Sequence, residues 1–369
     1  MSKKKYSQLK AALVLAKASL IATIRSPTSV VFALLFPLIF VTVFGAMVDN
    51  SAVKVSLVLS PHSDTTSPMY KAIKAVPFFK LSAGADSAAM LTALSKGRIA
   101  GILHLHSPAM KNNVPFFGTD LLASSAVADK LPLIKAALQE AASGVNQQVL
   151  PGQPVAASIQ VVEIPGRIYR KIDFILPGQL GFSLLMAGVF GSAFLLFNLR
   201  HTLVLKRLSV TPIKNSFLLL GEMISRLLFQ ILCFIIITAL GYYAFKFTLV
   251  NGLVTFLEML LLSVFGLIIF MGIGFIISGL IKNESSIAPV ANTLTVPQIL
   301  LCGLFFPIED YPAWLRSFCE LLPLTFFVDG LRKIAFEGLH IWQIPVQLAG
   351  LAIWSVIVAF FSVRLFKWE

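Results

Sequence analysis

Six long apolar segments dominate the chain and predict membrane-spanning helices. Each holds about twenty residues or more with few charges, and about 20 such residues cross the hydrocarbon core of a bilayer. The segments are Thr28–Val48, Phe174–Asn198, Phe217–Phe245, Leu253–Ile281, Ile287–Phe306 and Trp342–Leu365. This pattern predicts an α-helical polytopic membrane protein with six transmembrane helices, the first at 28–48 and five more within 174–369.

The N-terminal segment, residues 1–27, predicts an amphipathic helix on the membrane surface. Leu9 and Leu13 fall near one helical face, whereas Lys10 and Lys17 fall on another, and a helix of this kind lies in the plane of the interface. A lysine cluster at residues 3–5 followed by an apolar run is also typical of a signal peptide, so that alternative stays open.

Residues 49–173 predict an α/β domain inserted after the first span. Val53–Leu59 alternates apolar and polar positions, as a half-buried strand does. Two more strands are predicted at Ile99–Leu105 and Ala157–Ile164. Helices are predicted at Met69–Val76, Ser87–Lys96 and Leu121–Val145, the last with Pro132 interrupting it.

Residues 307–338 predict short helices that do not cross the membrane. Pro307 can end the preceding helix, and the apolar pattern that follows is too short for a bilayer. Pro323 separates it from a second short helix. Asp329 and Arg332 lie three residues apart there, which favours an ion pair with a structural or a gating role. We expect a re-entrant or surface element that caps the outer side.

Composition and charge support this picture. Hydrophobic residues make up 57% of the chain and charged residues 13%, against about 25% charged residues in soluble domains. If the N-terminus is cytoplasmic, the inner pieces 1–27, 199–216, 282–286 and 364–369 hold 13 basic residues and two acidic ones. Because basic residues in short loops mark the cytoplasmic side, both termini are predicted inside and the α/β domain outside. The net charge of +13 thus reflects orientation, and no nucleic-acid partner is expected.

Catalytic and metal-binding motifs do not stand out. The chain has no GxxxxGK[ST] phosphate loop and no HExxH, GxSxG or GxGxxG motif, so we predict that it is not an enzyme. The three cysteines are far apart and form no CxxC pair. His104 and His106, with His62 as a possible third ligand, lack the further ligands that a zinc site needs, and we interpret them as solvated histidines with no bound metal.

Polar residues inside predicted spans are candidates for function, because they are costly in hydrocarbon. Glu222 and Arg226 lie four apart, which indicates an intrahelical ion pair or a contact that relays motion. Glu258 either reaches the interface or touches a substrate near the exit. Two mixed stripes either pack helices together or line a cavity for an amphipathic substrate: Gln179, Ser183, Met186 and Phe190 in the second span, and Asn292, Thr295, Ile299 and Phe306 in the fifth.

Several motifs resemble the ABC-2 type permeases, the membrane subunits of ATP-driven exporters, over essentially the whole chain. The most specific series is Gly303–Ile308, Tyr311–Leu315, Leu322–Thr325 and Val328–Arg332, with Gly338 at its end. Arg25-Ser26-Pro27 resembles the end of that family's surface helix, and Leu94–Leu103 its helix-glycine-strand element. Lys206–Ile213 is similar to its cytoplasmic coupling loop.

The resemblance implies a function and partners. Two permease chains, as a homodimer or with a related permease, would form the substrate pathway in a bacterial inner membrane and contact its lipids. A separate ATPase subunit would bind ATP and Mg, so this chain would carry no cofactor. The exported compound would be drug-like, a lipid or otherwise amphipathic. The alternative is a non-transporting scaffold or envelope-assembly subunit that binds partners through its outer domain.

The coupling loop, residues 199–216, departs from the family pattern in one respect. Members commonly carry acidic residues and a Gly-Thr pair before the Arg-Leu, whereas residues 200–205 hold no acid. Because the loop carries a charge of +4, we expect it to meet an acidic groove on the ATPase. The coupling residues implied by the resemblance are Arg200, Lys206, Arg207, Leu208, Thr211 and Pro212.

The predicted topology can be tested with a reporter fused after Glu320. We expect periplasmic activity, such as that of alkaline phosphatase, because this position lies in the predicted outer cap. A fusion after Lys214, in the coupling loop, is the matched control and should report the cytoplasm. A cytoplasmic signal at Glu320 would contradict both the cap and the six-span topology.

Overall fold

The structure is a computed structural model. It describes residues 7–46, 55–61, 63–84, 86–95, 99–106, 109–111, 114–124, 131–149, 157–164, 170–201, 215–308 and 311–365. The chain divides into two compact units, a helical unit (Met1–Met47 and Arg170–Glu369) and an α/β unit (Val48–Tyr169).

The helical unit begins with an N-terminal helix and two shorter helical segments, and it continues with long apolar helices. Helix α1 spans Gln8–Arg25, and Ser7 caps it by accepting a hydrogen bond from the Lys10 amide. Helices α2 (Pro27–Val30) and α3 (Phe36–Ala46) are joined by a π turn at Val31–Leu35. The later helices are α7 (Lys171–His201), α8 (Asn215–Phe245), α9 (Leu253–Leu280), α10 (Ile287–Leu301), α11 (Ala313–Cys319), α12 (Pro323–Arg332) and α13 (Pro345–Leu365).

Among the described residues, four helices are long and apolar enough to cross a membrane, so the chain is a polytopic membrane protein. They are Ile172–Leu199, Leu220–Phe245, Leu253–Leu280 and Pro345–Leu365. The other two predicted spans fall short of this length. The first is the shorter apolar helix Val31–Gly45, and the fifth, predicted over Ile287–Phe306, ends at Leu301.

The early end of α10 has a local cause. Gly303 adopts a left-handed conformation with φ of 77°, which costs glycine little and ends helices in many proteins. The 15 residues of α10 rise about 22 Å, less than the ~30 Å hydrocarbon core. Its end is therefore held by contacts within the protein.

Close helix crossings build the core of the helical unit. A methyl group on Gly274 of α9 would lie 2.5 Å from the Val189 carbonyl oxygen of α7, and one on Gly188 would lie 2.7 Å from Phe270 Cβ. Small residues of this kind let membrane helices approach backbone to backbone. Helices α7 and α9 thus form a tight central pair.

Helix α12 is wedged between three of the long helices. Methyl groups on Gly181 of α7, Gly266 of α9 and Gly350 of α13 would lie within 2.8 Å of Val328, Phe327 and Phe326, respectively. The prediction of two short helices separated at Pro323 is confirmed by α11 and α12. Helix α12 is an integral part of the packing, because most of its side chains are buried.

The α/β unit is a mixed sheet with helices on both faces. Its strands are β1 (Val55–Leu59), β2 (Phe79–Ala83), β3 (Gly101–Leu105), β4 (Ala109–Lys111), β5 (Val114–Ser124) and β6 (Ala157–Ile164). The strand order is β2-β1-β3-β5-β4, and β6 also pairs with β5. Helices α4 (Pro68–Ala75) and α6 (Leu131–Val149) share one apolar cluster with the sheet, and α5 (Ser87–Ser95) packs on the other face.

The predicted strands at Val53–Leu59, Ile99–Leu105 and Ala157–Ile164 are confirmed in their described parts, but the helix predicted from Leu121 is wrong at its start. Residues 114–124 form β5, antiparallel to β3 with Leu121 opposite Leu103. The side chains of Phe117, Thr119, Leu121 and Ala123 alternate into the core, a period of two. Helix α6 begins only at Leu131, and Pro132 lies in its first turn, where proline fits a helix.

Candidate functional site

The predicted coupling loop is described only at its start. Arg200 lies in the last turn of α7. Lys206, Arg207, Leu208, Thr211 and Pro212 lie outside the described residues. Their role in coupling therefore stays a prediction from the sequence.

The N-terminal helix α1 packs against α8 through small residues. Ala12 and Ala16 are buried, whereas Leu9 and Val14 remain 56% and 71% exposed. The carbonyl oxygen of Ala12 lies so close to Gly221 that a methyl group there would be 2.7 Å from it. The alanine face thus binds α8, and the larger apolar side chains stay free to meet the membrane interface.

Two charged residues of α8 connect this helix to its neighbours. Glu222 is buried and accepts a hydrogen bond from the Ser19 hydroxyl of α1. One turn later, the Arg226 guanidinium fills the space beside Gly191 of α7, where a methyl group would lie 2.1 Å from Nη1. Instead of the predicted intrahelical ion pair, each side chain contacts another helix, although the two opposite charges still attract each other.

The second-span stripe lies mostly inside the helical unit. Gln179 and Ser183 are fully buried, and Met186 and Phe190 are partly buried. Ser183 donates to the Ala33 carbonyl in the π turn and accepts a hydrogen bond of 3.1 Å from Gln230 Nε2 of α8. Ser183 therefore joins three helical segments, while the amide atoms of Gln179 have no hydrogen-bond partner among the described residues.

The fifth-span stripe is divided between the interior and the surface. Thr295 and Ile299 are buried, and within the described part of the chain the Thr295 hydroxyl has no hydrogen-bond partner. Asn292 and Phe306 are exposed, with Phe306 64% exposed. Half of this stripe thus packs inside the helical unit, and the other half is exposed on its surface.

Asp329 and Arg332 each bind a different part of the helical unit. Asp329 forms an ion pair of 2.9 Å with Lys333 and accepts a hydrogen bond of 2.7 Å from Gln347 of α13. Arg332 Nη2 donates to the carbonyl oxygens of Gly303 at 2.6 Å and Phe174 at 3.0 Å. The pairing predicted between Asp329 and Arg332 is therefore replaced by contacts to more distant segments.

Two further polar contacts were missed by the sequence analysis. Glu258 lies near the start of α9 and binds His340 Nδ1 at 3.0 Å. Asp173, in the first turn of α7, accepts backbone hydrogen bonds from Arg170 at 2.9 Å and Thr248 at 2.8 Å. The acidic residue at the border of each apolar segment was the available signal, but the distant partners, Thr248 and His340, lie 75 and 82 residues away.

The histidines of the α/β unit form no metal centre in the described part of the chain. His106 Nε2 binds Asp120 Oδ2 at 2.8 Å, and the rings of His104 and His106 meet edge to face. No cluster of three or more metal-ligating side chains occurs among the described residues, and His62 lies outside them.

A half-open recess lies between α8 and α9. Its volume is about 10 Å³, and Gln230 and Ser263 are its polar lining residues among apolar ones. Pockets for drug-sized ligands measure about 300–1,000 Å³. This recess is therefore too small to enclose such a molecule.

Comparison with known proteins places the chain in a family. Residues 27–364 match the family model of the ABC-2 family transporter protein. The chain is 20% identical over 344 residues to the Escherichia coli K12 protein named "Probable multidrug ABC transporter permease YbhS", covering 88% of this chain and 87% of that protein. It is 22% identical over 200 residues to the one named "Probable multidrug ABC transporter permease YbhR", covering 53% of each.

A eukaryotic protein is also similar over part of the chain. ABC transporter G family member 20 of Dictyostelium discoideum is 22% identical over 162 residues, which are 43% of this chain and 22% of that protein. The family match spans nearly the whole chain and includes the apolar helices and the residues that connect them. The chain belongs to the ABC-2 family and is the membrane subunit of an ABC transporter.

Proposed function

We propose that this chain is the permease of an ATP-driven exporter that moves a drug-like, lipid or other amphipathic compound. The main support for this proposal is that residues 27–364 match the family model and include the unit of packed apolar helices. The names of two relatives include multidrug permease, which favours an amphipathic substrate. The polar atoms of Gln179 and Thr295 that lack partners support a pathway along α7 and α10.

The proposed topology keeps six membrane segments, with both termini in the cytoplasm and the α/β unit outside. Segments α2–α3 and α10 are the two short ones. The protein fills the remaining depth, because backbone that is not helical is tolerated in a membrane only when protein or water covers it. Relatives from Escherichia coli favour the inner membrane of a bacterium as the location.

A separate ATPase subunit supplies the energy, since the family consists of membrane subunits. In our proposal this partner binds ATP and Mg and contacts α1 and the coupling loop. The Ser19–Glu222 hydrogen bond and the contact of Arg226 with Gly191 then form a path from α1 through α8 to α7. Movement of α1 would change the environment of two charges inside the membrane, which costs free energy.

A second permease copy completes the pathway. The exposed face of α10 carries the Asn292 amide among apolar side chains such as Leu294 and Leu300. An amide facing lipid is unfavourable, and a neighbouring helix can satisfy it. The small size of the recess between α8 and α9 also favours a substrate cavity formed between two copies.

The alternative is a membrane scaffold whose α/β unit binds a partner in the cell envelope. It would need the same membrane helices but no pathway and no coupling to ATP hydrolysis. Coupled transport therefore distinguishes the two functions.

The exporter proposal predicts ATP-dependent transport. In proteoliposomes with its partner ATPase, the permease should move an amphipathic dye or a fluorescent lipid analogue. Reversal of charge by Lys206→Glu with Arg207→Glu should weaken ATPase co-purification and abolish stimulated hydrolysis, whereas the control Arg316→Glu, at an exposed ion pair, should not. A complex that hydrolyses ATP and moves neither probe would favour the scaffold. Unchanged co-purification of the double variant at low salt, where charge contacts are strongest, would contradict docking through the loop.

The second-copy proposal predicts a specific crosslink. With Cys233, Cys302 and Cys319 replaced by alanine, Asn292→Cys should form a disulfide-linked dimer in membranes treated with a mild oxidant. Val356→Cys on α13, which is 70% exposed, is the control and should remain monomeric. A monomeric Asn292→Cys protein with a crosslinked control would place the interface elsewhere.

The path through Glu222 predicts a difference between stability and coupling. Glu222→Gln should lower the free energy of unfolding by about 2 kcal/mol, because it removes the buried carboxylate that accepts the Ser19 hydrogen bond and lies one turn from Arg226. Adding Arg226→Met should recover most of this loss, yet transport per ATP should stay low. The control Glu320→Gln removes an exposed partner of Arg316 and should change stability by less than about 1 kcal/mol. Recovery of both stability and transport in the double variant would make the pair purely structural.

A further inference from the structure

Arg332 joins the ends of the two helices that carry the pathway stripes. It is the last residue of α12, and its guanidinium reaches the first turn of α7 at Phe174 and the turn after α10 at Gly303. These partners are 158 and 29 residues away in the chain. The stripes of α7 and α10 begin or end within a few residues of these contacts.

The two contacts differ in strength. On the Phe174 side, Nε and Nη2 both donate to the carbonyl oxygen, at 3.3 and 3.0 Å, and Cζ lies 3.7 Å from the centre of the Phe174 ring. On the Gly303 side the described contact is a hydrogen bond of 2.6 Å. A guanidinium stacked on an aromatic ring is held by cation–π attraction in addition to hydrogen bonding. The Phe174 side thus holds the guanidinium in two ways, so Arg332 can stay there when the Gly303 bond breaks.

The surrounding packing fixes α12 and α7 relative to each other. Val328 of α12 lies against Gly181 of α7, and Phe326 against Gly350 of α13. Asp329 adds its hydrogen bond to Gln347 of α13. Helix α12 is thus held against α7 through Val328 and against α13 through Phe326 and Asp329.

The end of α10 contains two residues that permit a bend. Pro297 lies inside α10, and a proline in a helix removes a backbone hydrogen bond and permits a bend. Gly303 follows in its left-handed conformation. Beyond it, Leu304 packs against Gly178 of α7, so a bend here would open this contact together with the bond to Arg332.

We propose that Arg332 is a latch that holds the outer end of α10 against α7, and that its bond to Gly303 opens when the substrate pathway opens outward. This inference rests on the exporter function proposed above. Arg332 is a positioning residue in this mechanism, since it acts through the two helices and not on the substrate. The guanidinium remains on Phe174 during opening, and the Gly303 carbonyl leaves it.

The latch can be tested through access of water to the pathway in the permease without nucleotide. In the cysteine-free background, a cysteine at Ile299, which is 8% exposed, should react slowly with a membrane-impermeant maleimide. Arg332→Lys keeps the charge but cannot bind both carbonyls and stack flat on the ring. We expect it to raise the labelling rate about tenfold, the effect of losing one hydrogen bond to a charged donor.

Function provides the second readout. With the ATPase present, Arg332→Lys should lower the amount of dye or lipid analogue moved per ATP hydrolysed and leave the KM for ATP unchanged. Arg316→Lys is the matched control, because Arg316 lies on neighbouring α11 and pairs with Glu320 at the surface. The control should match the parent in both measurements.

A folded Arg332→Lys protein that labels as slowly as the parent would overturn the latch. If this variant does not fold, Phe174→Leu decides, because it removes the stacked ring but keeps the backbone carbonyl. Faster labelling of Phe174→Leu supports the latch, and an unchanged rate overturns it. The labelling needs no ATPase, so Arg332-dependent access in a protein that moves neither probe would refute the exporter function and leave the latch standing.

Discussion

The helical unit depends on one constraint, which is that polar groups inside a membrane must find their partners within the protein. Backbone carbonyls that helices leave unpaired are costly in hydrocarbon, and the turn after α10 exposes such a group at Gly303. Arg332 binds this carbonyl together with that of Phe174 in the first turn of α7, and the Ser183 hydroxyl donates to the Ala33 carbonyl in the π turn. These side chains fix where irregular backbone can occur between the long helices.

Close packing between helices also stabilises the helical unit. Apolar side chains gain little by leaving lipid for a protein interior, so membrane helices associate through tight contact and hydrogen bonds. The crossing of α7 and α9 at Gly188 and Gly274, and the wedge of α12 against three long helices, follow this rule. Helix α12 is short and begins at Pro323, yet it is surrounded by protein on several sides. Its backbone can therefore lie at membrane depth without spanning the bilayer.

Hydropathy predicted the long helices well, because a run of about 20 apolar residues has few other uses. It overestimated α10, since Phe305 and Phe306 extend the apolar run beyond the turn at Gly303. In the α/β unit, β5 was interpreted as helix because its inward residues, such as Leu121 and Ala123, are apolar and helix-compatible. Only pairing with β3 and β6 reveals its period of two, and that pairing is a tertiary property.

The candidate site was less predictable than the fold, for a related reason. A sequence reveals partners three or four residues away, so Glu222 was paired with Arg226 and Asp329 with Arg332. In the structure, Glu222 binds Ser19, which is 203 residues away, and Arg332 binds carbonyls that carry no signature in the sequence. The residue types were informative, since each charge in or beside a span does hold helices together. Their partners could not be found without the packing.

Because α10 is short, the contacts that hold it also determine how it can move. A helix that crosses the full hydrocarbon core is held at its depth by the lipid on both sides, because shifting it exposes apolar surface or buries polar ends. Helix α10 is too short for that restraint, and its end at Leu301 is defined by Gly303 and by Arg332. Its position is therefore set by contacts within the protein, which are the hydrogen bond from Arg332 and the buried side chains such as Ile299 and Leu304. In a transporter, a segment held in this way can change position when those contacts change, while the tightly crossed pair of α7 and α9 keeps its shape.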